Sequence, residues 1–373
     1  MIIDFVPIQQ YTHCFHIALL ILVLFAVFQC QRGVIFRKDV VNMDAGWGFV
    51  IASLIIIYMG LRLVSAQFGD TMNYYKMFKD IANGIDIGDK SQEDIIFYTT
   101  LHWFAKYSNI HSFFLLCAFL YVAPLWLAMV RIFKSYYWIP FLVILSMFTF
   151  WQYGVNGVRN GVGASLFILA MTYVENLPVM ALLSVLAIGF HKSVLLMVAG
   201  GALAWFIKNS YYYLAGWILC VIVSYFFGGQ IQNYLAGIDF MAGDERFSGY
   251  MTGENMVGEI VQMSMVFRWD FLLYSSMAVV VGYYFIFRRD FKDEYYHWIY
   301  NTYLATNAFW ILVIRAAYSN RFAQISWFIM PIVLIYPFMK QRFWTNHEKM
   351  LGYAILTFYA FAFYENILKS GIL

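Results

Sequence analysis

Arg159 in Asn156-Gly157-Val158-Arg159-Asn160-Gly161, and Lys192 beside His191 in Gly189-Phe190-His191-Lys192-Ser193, are cations set between long apolar runs. A charge at membrane depth costs roughly 2.5–3.5 kcal/mol even on lenient insertion scales, so it is expected to face a cavity or a partner. The pattern points to an anionic substrate. Glycines on both sides of Arg159 let backbone approach a ligand closely, and the residue opens a short helix whose N-terminus favours anions. His191 has two readings: a general base with a pKa near working pH, or a histidine bonded to a loop carbonyl. Lys192 reads as an anion ligand or as a snorkelling lysine.

Other residues extend the pattern. In Arg315-Ala316-Ala317-Tyr318-Ser319-Asn320-Arg321 two arginines flank a short step between apolar runs, which is the layout of an anion clamp or of a turn with charged ends. Guanidinium forks bind phosphate oxygens bidentately, so several arginines at the same ends of different helices suit a diphosphate. Arg62 is followed by Phe68-Gly69-Asp70-Thr71 and Tyr74-Tyr75, which adds a carboxylate and tyrosines with an apolar face and a hydroxyl for sugars. Asp70 also reads as a plain N-cap and Glu93 as a helix-start residue.

The elements that must position these groups are transmembrane helices. The chain of 373 residues is 62% hydrophobic and only 12% charged, half the share of an ordinary soluble domain, and no polar stretch is long enough for a separate soluble domain. The expected fold is therefore all-α: one polytopic membrane domain over 1–373 with about 12 transmembrane or partly re-entrant helices. Apolar runs place them near 15–31, 49–66, 112–131, 136–151, 161–174, 178–190, 193–207, 211–227, 267–287, 297–314, 322–338 and 350–367. The runs at 161–174, 178–190 and 193–207 are short for a full hydrocarbon core, and broken helices are tolerated where protein surrounds an aqueous cavity.

An outside N-terminus puts tight cation clusters inside: Arg32, Arg37 and Lys38; Arg131 and Lys134; Arg288, Arg289 and Lys292; Lys340, Arg342 and Lys349. It also puts Arg62, Asp70, Glu93, Arg159, His191, Lys192, Arg246, Arg315 and Arg321 on the outer side. Two longer outer segments follow, near 67–111 and 228–266. The first contains an amphipathic stretch from Ile95 to Tyr107 that reads as an interfacial helix or as a helix packed on the bundle. The start Met1-Ile2-Ile3-Asp4 lacks a cationic n-region, so the first apolar run is expected to be a retained helix.

Several function classes are excluded. Net charge is only +3 and the cations are dispersed, with no basic stripe for a nucleic acid. Cys14, Cys30, Cys117 and Cys220 show neither CxxC spacing nor a histidine cluster, so they read as free thiols. His13, His16, His102, His111, His297 and His347 have no metal-ligand spacing. There is no GxxxxGK[ST], HExxH or GxSxG motif, and no metal or cofactor is implied.

The chain resembles the EpsG family of Wzy-like polysaccharide polymerases. The resemblance rests on Arg62 with Phe68-Gly69-Asp70-Thr71-Met72-Asn73-Tyr74-Tyr75, on Glu93-Asp94-Ile95-Ile96-Phe97, and above all on Asn156-Gly157-Val158-Arg159-Asn160-Gly161-Val162-Gly163-Ala164 followed by Phe190-His191-Lys192-Ser193. Asn160 stands where the family more usually has glutamine, and Gly163 where it often has alanine. The resemblance implies a multi-pass protein of the bacterial cytoplasmic membrane, serving O-antigen, capsule or exopolysaccharide synthesis. It implies transfer of a growing chain from undecaprenyl diphosphate to a fresh lipid-linked oligosaccharide repeat unit at the outer face, beside flippase and chain-length-regulator proteins. It places Arg159, Arg315, Arg321, Lys192 and Arg62 on diphosphate, His191 or Asp70 on the acceptor hydroxyl, and Tyr74, Tyr75, Glu93, Arg246 and Tyr318 near sugar. A lipid-linked oligosaccharide flippase, another lipid-phosphate glycosyltransferase or ligase, and a non-catalytic scaffold are the alternatives.

Overall fold

The computed structural model describes residues 3–85, 87, 94–236, 266–316 and 319–369. These are helical, with no strand among them. In chain order the helices are α1 (Ile8–Gln31), α2 (Lys38–Gly60), α3 (Thr71–Ala82), α4 (Ile95–Tyr107), α5 (Ile110–Phe133), α6 (Trp138–Leu145), α7 (Phe150–Val155), α8 (Val158–Met171), α9 (Leu177–Phe190), α10 (Leu195–Phe206), α11 (Ser210–Ala236), α12 (Trp269–Tyr283), α13 (Glu294–Leu312), α14 (Asn320–Trp327), α15 (Met330–Lys340) and α16 (His347–Phe363). Among the described residues seven helical stretches are long and apolar enough to cross a membrane: Ile8–Gln31, Lys38–Gly60, Ile110–Tyr136, Ser210–Ile231, Trp269–Arg288, Arg321–Lys340 and His347–Leu368. Shorter apolar helices lie at Val158–Met171, Leu177–Phe190 and Lys192–Phe206, so the protein is an all-α polytopic membrane protein.

Each expected run coincides with helix, and several differ in extent: that at 15–31 begins at Ile8, and that at 322–338 is divided into α14 and α15. The run at 49–66 ends at Gly60 because Arg62 turns its guanidinium back onto the Met59 carbonyl. The run at 136–151 is split into α6 and α7, with the Ser146 hydroxyl bonding back to the Leu142 carbonyl at the break. The run at 211–227 continues as α11 to Ala236. Of the two segments expected on the outer side, the first carries α3 and α4, and residues 237–265 of the second lie outside the described residues.

The chain divides into two compact units, Met1–Leu195 with Phe338–Leu373, and Leu196–Pro337. In the first, α1 packs on α16, α2 on α5, α5 on α8 and α8 on α9, while α3 and α4 pack on each other and α4 also meets α5 and α9. Phe97, Tyr98 and Leu101 of α4 are buried, whereas Ile95, Trp103 and Tyr107 are exposed. Thus α4 is packed on the bundle by one face and presents the other to its surroundings. Tyr11 and Tyr58 stack at 4.1 Å and bond each other's carbonyls at 2.6 and 2.8 Å, which joins α1 to α2. The Trp151 indole donates to Thr12 and brings α7 onto the same end. Cys14, Cys30, Cys117 and Cys220 are free thiols.

The second unit is built on α11 packed along α13, with α14 against the latter. Trp298 donates to the Gly201 carbonyl, Tyr300 to that of Val279 and Tyr303 to that of Ser275. Such side chains tie helices together in a medium that supplies no hydrogen bonds of its own.

Candidate active site

Asp94 is the residue before α4, and its carboxylate is only 1% exposed. It accepts from three donors on other segments: Arg159 Nη1 at 2.6 Å, His191 Nδ1 at 3.1 Å and the Lys192 backbone N–H at 3.0 Å. One buried acid therefore joins the start of α8 to the step that follows α9. Removing one partner from a buried pair of this kind typically costs about 3–5 kcal/mol. Burial alone would push the Asp94 carboxyl up. The His191 hydrogen bond, the His191 and Arg159 charges and the Lys192 N–H outweigh it and hold the group below the usual carboxylate range.

Local chemistry explains why the donors meet there. Asn176 caps α9 by accepting from the Val179 N–H, with Pro178 in the first turn, and the helix ends where His191 turns extended. α8 starts directly after Gly157, which brings Arg159 into its first turn. Gly163 lets α8 lie close to the end of α9: a Cβ there would come 2.8 Å from Val194 Cγ2 and 2.9 Å from the Ala187 carbonyl oxygen. The Arg159 guanidinium also bonds the Tyr98 hydroxyl at 3.2 Å and lies 5.6–5.9 Å from the rings of Tyr74, Phe97 and Tyr98. His191 keeps 23% of its side chain exposed, and Lys192 is exposed. The cluster is closed on the Asp94 side and open on the histidine side.

With Asp94 ionised, His191 Nδ1 must carry the proton of their bond, and in the neutral form of the ring Nε2 is then the acceptor nitrogen. An imidazole oriented by a buried carboxylate is the arrangement of a general base. A guanidinium in the same cluster supplies positive charge for an anionic group.

The other expected residues are placed as follows. Asp70 precedes α3; its backbone N–H donates to Asn156 Oδ1 at 2.8 Å, and its carboxylate accepts from Asn73 at 3.2 Å. Arg62 is 1% exposed and bonds the Met59 and Val155 carbonyls and the Thr71 hydroxyl. Tyr74 is 3% exposed, packed on Phe97 at 5.1 Å, and burial pushes its hydroxyl up to about 12 against the opposing charge of Arg159. Its ring is taken up by packing. Tyr75 is partly exposed, with the Lys79 ammonium 4.6 Å from its ring centre.

Arg315 and Arg321 belong to the second unit. Arg315 donates to the Tyr225 carbonyl and lies 5.4 Å from the Phe267 ring centre, and Arg321 is exposed in the first turn of α14. Glu93, Arg246 and Tyr318 lie outside the described residues.

Asp94 is the residue that sequence reasoning missed. Its signal was an acid directly before the amphipathic stretch 95–107, named only within Glu93-Asp94-Ile95-Ile96-Phe97 and given no role of its own, while Glu93 beside it took the helix-start reading.

A model of the EpsG family matches residues 47–371, which takes in every member of the cluster and leaves α1 outside. No curated protein and no solved structure matches the chain.

Proposed function

The chain belongs to the EpsG family of Wzy-like polysaccharide polymerases, and from that premise we propose that it polymerises undecaprenyl-diphosphate-linked oligosaccharide repeat units at the outer face of the cytoplasmic membrane. The observation that carries the reading is the three-way junction of Asp94, Arg159 and His191. In the proposed step a hydroxyl of the acceptor repeat unit attacks the anomeric carbon of the growing chain. The new C–O bond forms as the bond to the diphosphate breaks. His191 Nε2 takes the hydroxyl proton late in the reaction, and the electron pair leaves with the diphosphate. The guanidinium of Arg159 and the ammonium of Lys192 stabilise charge gathering on the departing phosphate oxygens. Asp94 holds the imidazole in the tautomer that can accept a proton. Tyr75, rather than the packed Tyr74, offers a ring to a sugar.

Reconstitution with a lipid-linked repeat unit tests this, and the expected result is a ladder of longer lipid-linked products. Translocation of the intact unit across the bilayer without a ladder would make the protein a transporter. Transfer to an acceptor that is not a repeat unit would make it a ligase. Labelling of a cysteine placed at 191, in a background without the native cysteines, checks the face: reaction from the cytoplasmic side alone overturns the orientation and the mechanism with it.

A further inference from the structure

Arg62 carries a full charge at 1% exposure, and among the described residues no carboxylate bonds it. Its guanidinium is met by main-chain oxygen. Nη1 donates to the Met59 carbonyl in the last turn of α2, and Nη2 to the Val155 carbonyl at the end of α7, 3.1 Å away. Both are at the negative ends of helices, where unbonded carbonyls favour a cation. Nη2 also reaches the Thr71 hydroxyl at 2.8 Å, and the guanidinium lies 4.5 Å from the Phe114 ring centre. Burying a charge without an ion-pair partner is costly, and an apolar side chain of similar volume would fill the space at less cost. What only the planar fork supplies is simultaneous bonding to three chain segments.

Those segments lead to the active site. The Thr71 hydroxyl, held by Arg62, donates to the same Val155 carbonyl at 2.6 Å. The next residues repeat the join, since the Asp70 N–H donates to Asn156 Oδ1 at 2.8 Å. Two successive residues at the start of α3, Asp70 just before it and Thr71 at its first position, are thereby fastened to the two residues that close α7, and Arg159 lies in the first turn of the helix that follows. We infer that Arg62 is a positioning residue of the polymerase. It touches no substrate, and through Thr71, Val155 and Asn156 it fixes where α8 begins and so sets Arg159 against Asp94.

The kinetic part of the test rests on the polymerase reading. Thr71→Val separates a latch from a substrate contact, because it removes bonds to Val155 and Arg62 without changing any charge. In reconstituted protein, normalised to the folded fraction, Thr71→Val and Arg62→Lys are each expected to lower kcat about tenfold while the donor KM stays within about twofold. Amide hydrogen exchange over residues 155–161 rises in both variants. A raised donor KM in Arg62→Lys together with wild-type kinetics in Thr71→Val overturns the inference and makes Arg62 a substrate contact. If Arg62→Lys does not accumulate, Thr71→Val decides alone. The exchange measurement needs no substrate, so it still decides the latch if no ladder forms and the polymerase reading fails. Unchanged exchange over 155–161 in Thr71→Val overturns the latch whatever the kinetics.

Discussion

The two units bury polar groups in different ways. In the second, Asn307 receives the Trp217 indole at 2.8 Å and donates to Ser326 at 2.9 Å and Ser275 at 3.3 Å, and Ser275 also receives the Trp327 indole at 2.7 Å. All of these groups are neutral and buried. In the first, an acid, a guanidinium and an imidazole share one junction, and the imidazole is left partly exposed. A buried neutral network fixes helices and offers a ligand no charge. A charged junction with an open side can exchange a proton and attract an anion. Burial of polar groups is therefore a poor guide to function in a membrane bundle, and charge with residual exposure is a better one.

The contrast breaks most decisively at Asp94. Asp94→Asn removes the charge that pairs with Arg159 and puts an amide donor in place of one acceptor oxygen, so the His191 tautomer is no longer fixed and ladder formation is expected to fall by about 10³ or more. Normal chain lengths from this variant would reduce the junction to a structural ion pair. His191→Ala should leave binding of the lipid-linked donor intact while polymerisation drops by about 10² or more; if it polymerises normally while Asp70→Asn fails, the base is Asp70. Arg159→Lys keeps the charge and loses the fork, and is expected to lower polymer output at least about tenfold with the protein still accumulating in the membrane.

The neutral network sharpens the contrast from the other side. Asn307→Leu should destabilise the protein by about 1–3 kcal/mol, read as a lower unfolding temperature in detergent, with activity per folded molecule within about twofold. A selective loss of turnover in this variant would give the second unit a chemical role. The smallest effect expected is on pH dependence. The Asp94 carboxyl is held below its ordinary value in the folded protein. Its contribution to stability is therefore fully present above the unfolded carboxylate value of about 3.9 and is lost as pH falls through the lower folded value. Unfolding midpoints should differ little between pH 6 and 8 on this account, and Asp94→Asn should flatten the decline seen in acid.

Much of the fold was legible because about 20 apolar residues in a row have few other uses, and the helix positions follow from those runs. The split near Ser146 was not, since a lone serine within an apolar run is as compatible with a continuous helix as with a break. Arg159 and His191 stood out because charge between apolar runs is costly. Their common partner did not, because Asp94 lies 65 and 97 residues away from them in the chain and nothing local to it marks a long-range bond. Arg62 was visible as a charge, but hydropathy says nothing of the direction in which a guanidinium points. Its turn back toward Met59 and Val155 exists only in three dimensions.

Gly69 has a left-handed backbone, with φ of +57°, and a Cβ there would lie 2.3 Å from the Asn156 side-chain oxygen. Shortening Asn156 would remove the obstruction but not the backbone angle, and it would also release the Asp70 N–H. A side chain at 69 thus meets both the backbone angle and the Asn156 amide, which ties the two positions to each other. Descendants of this chain that change Gly69 are therefore expected to carry a compensating change at Asn156.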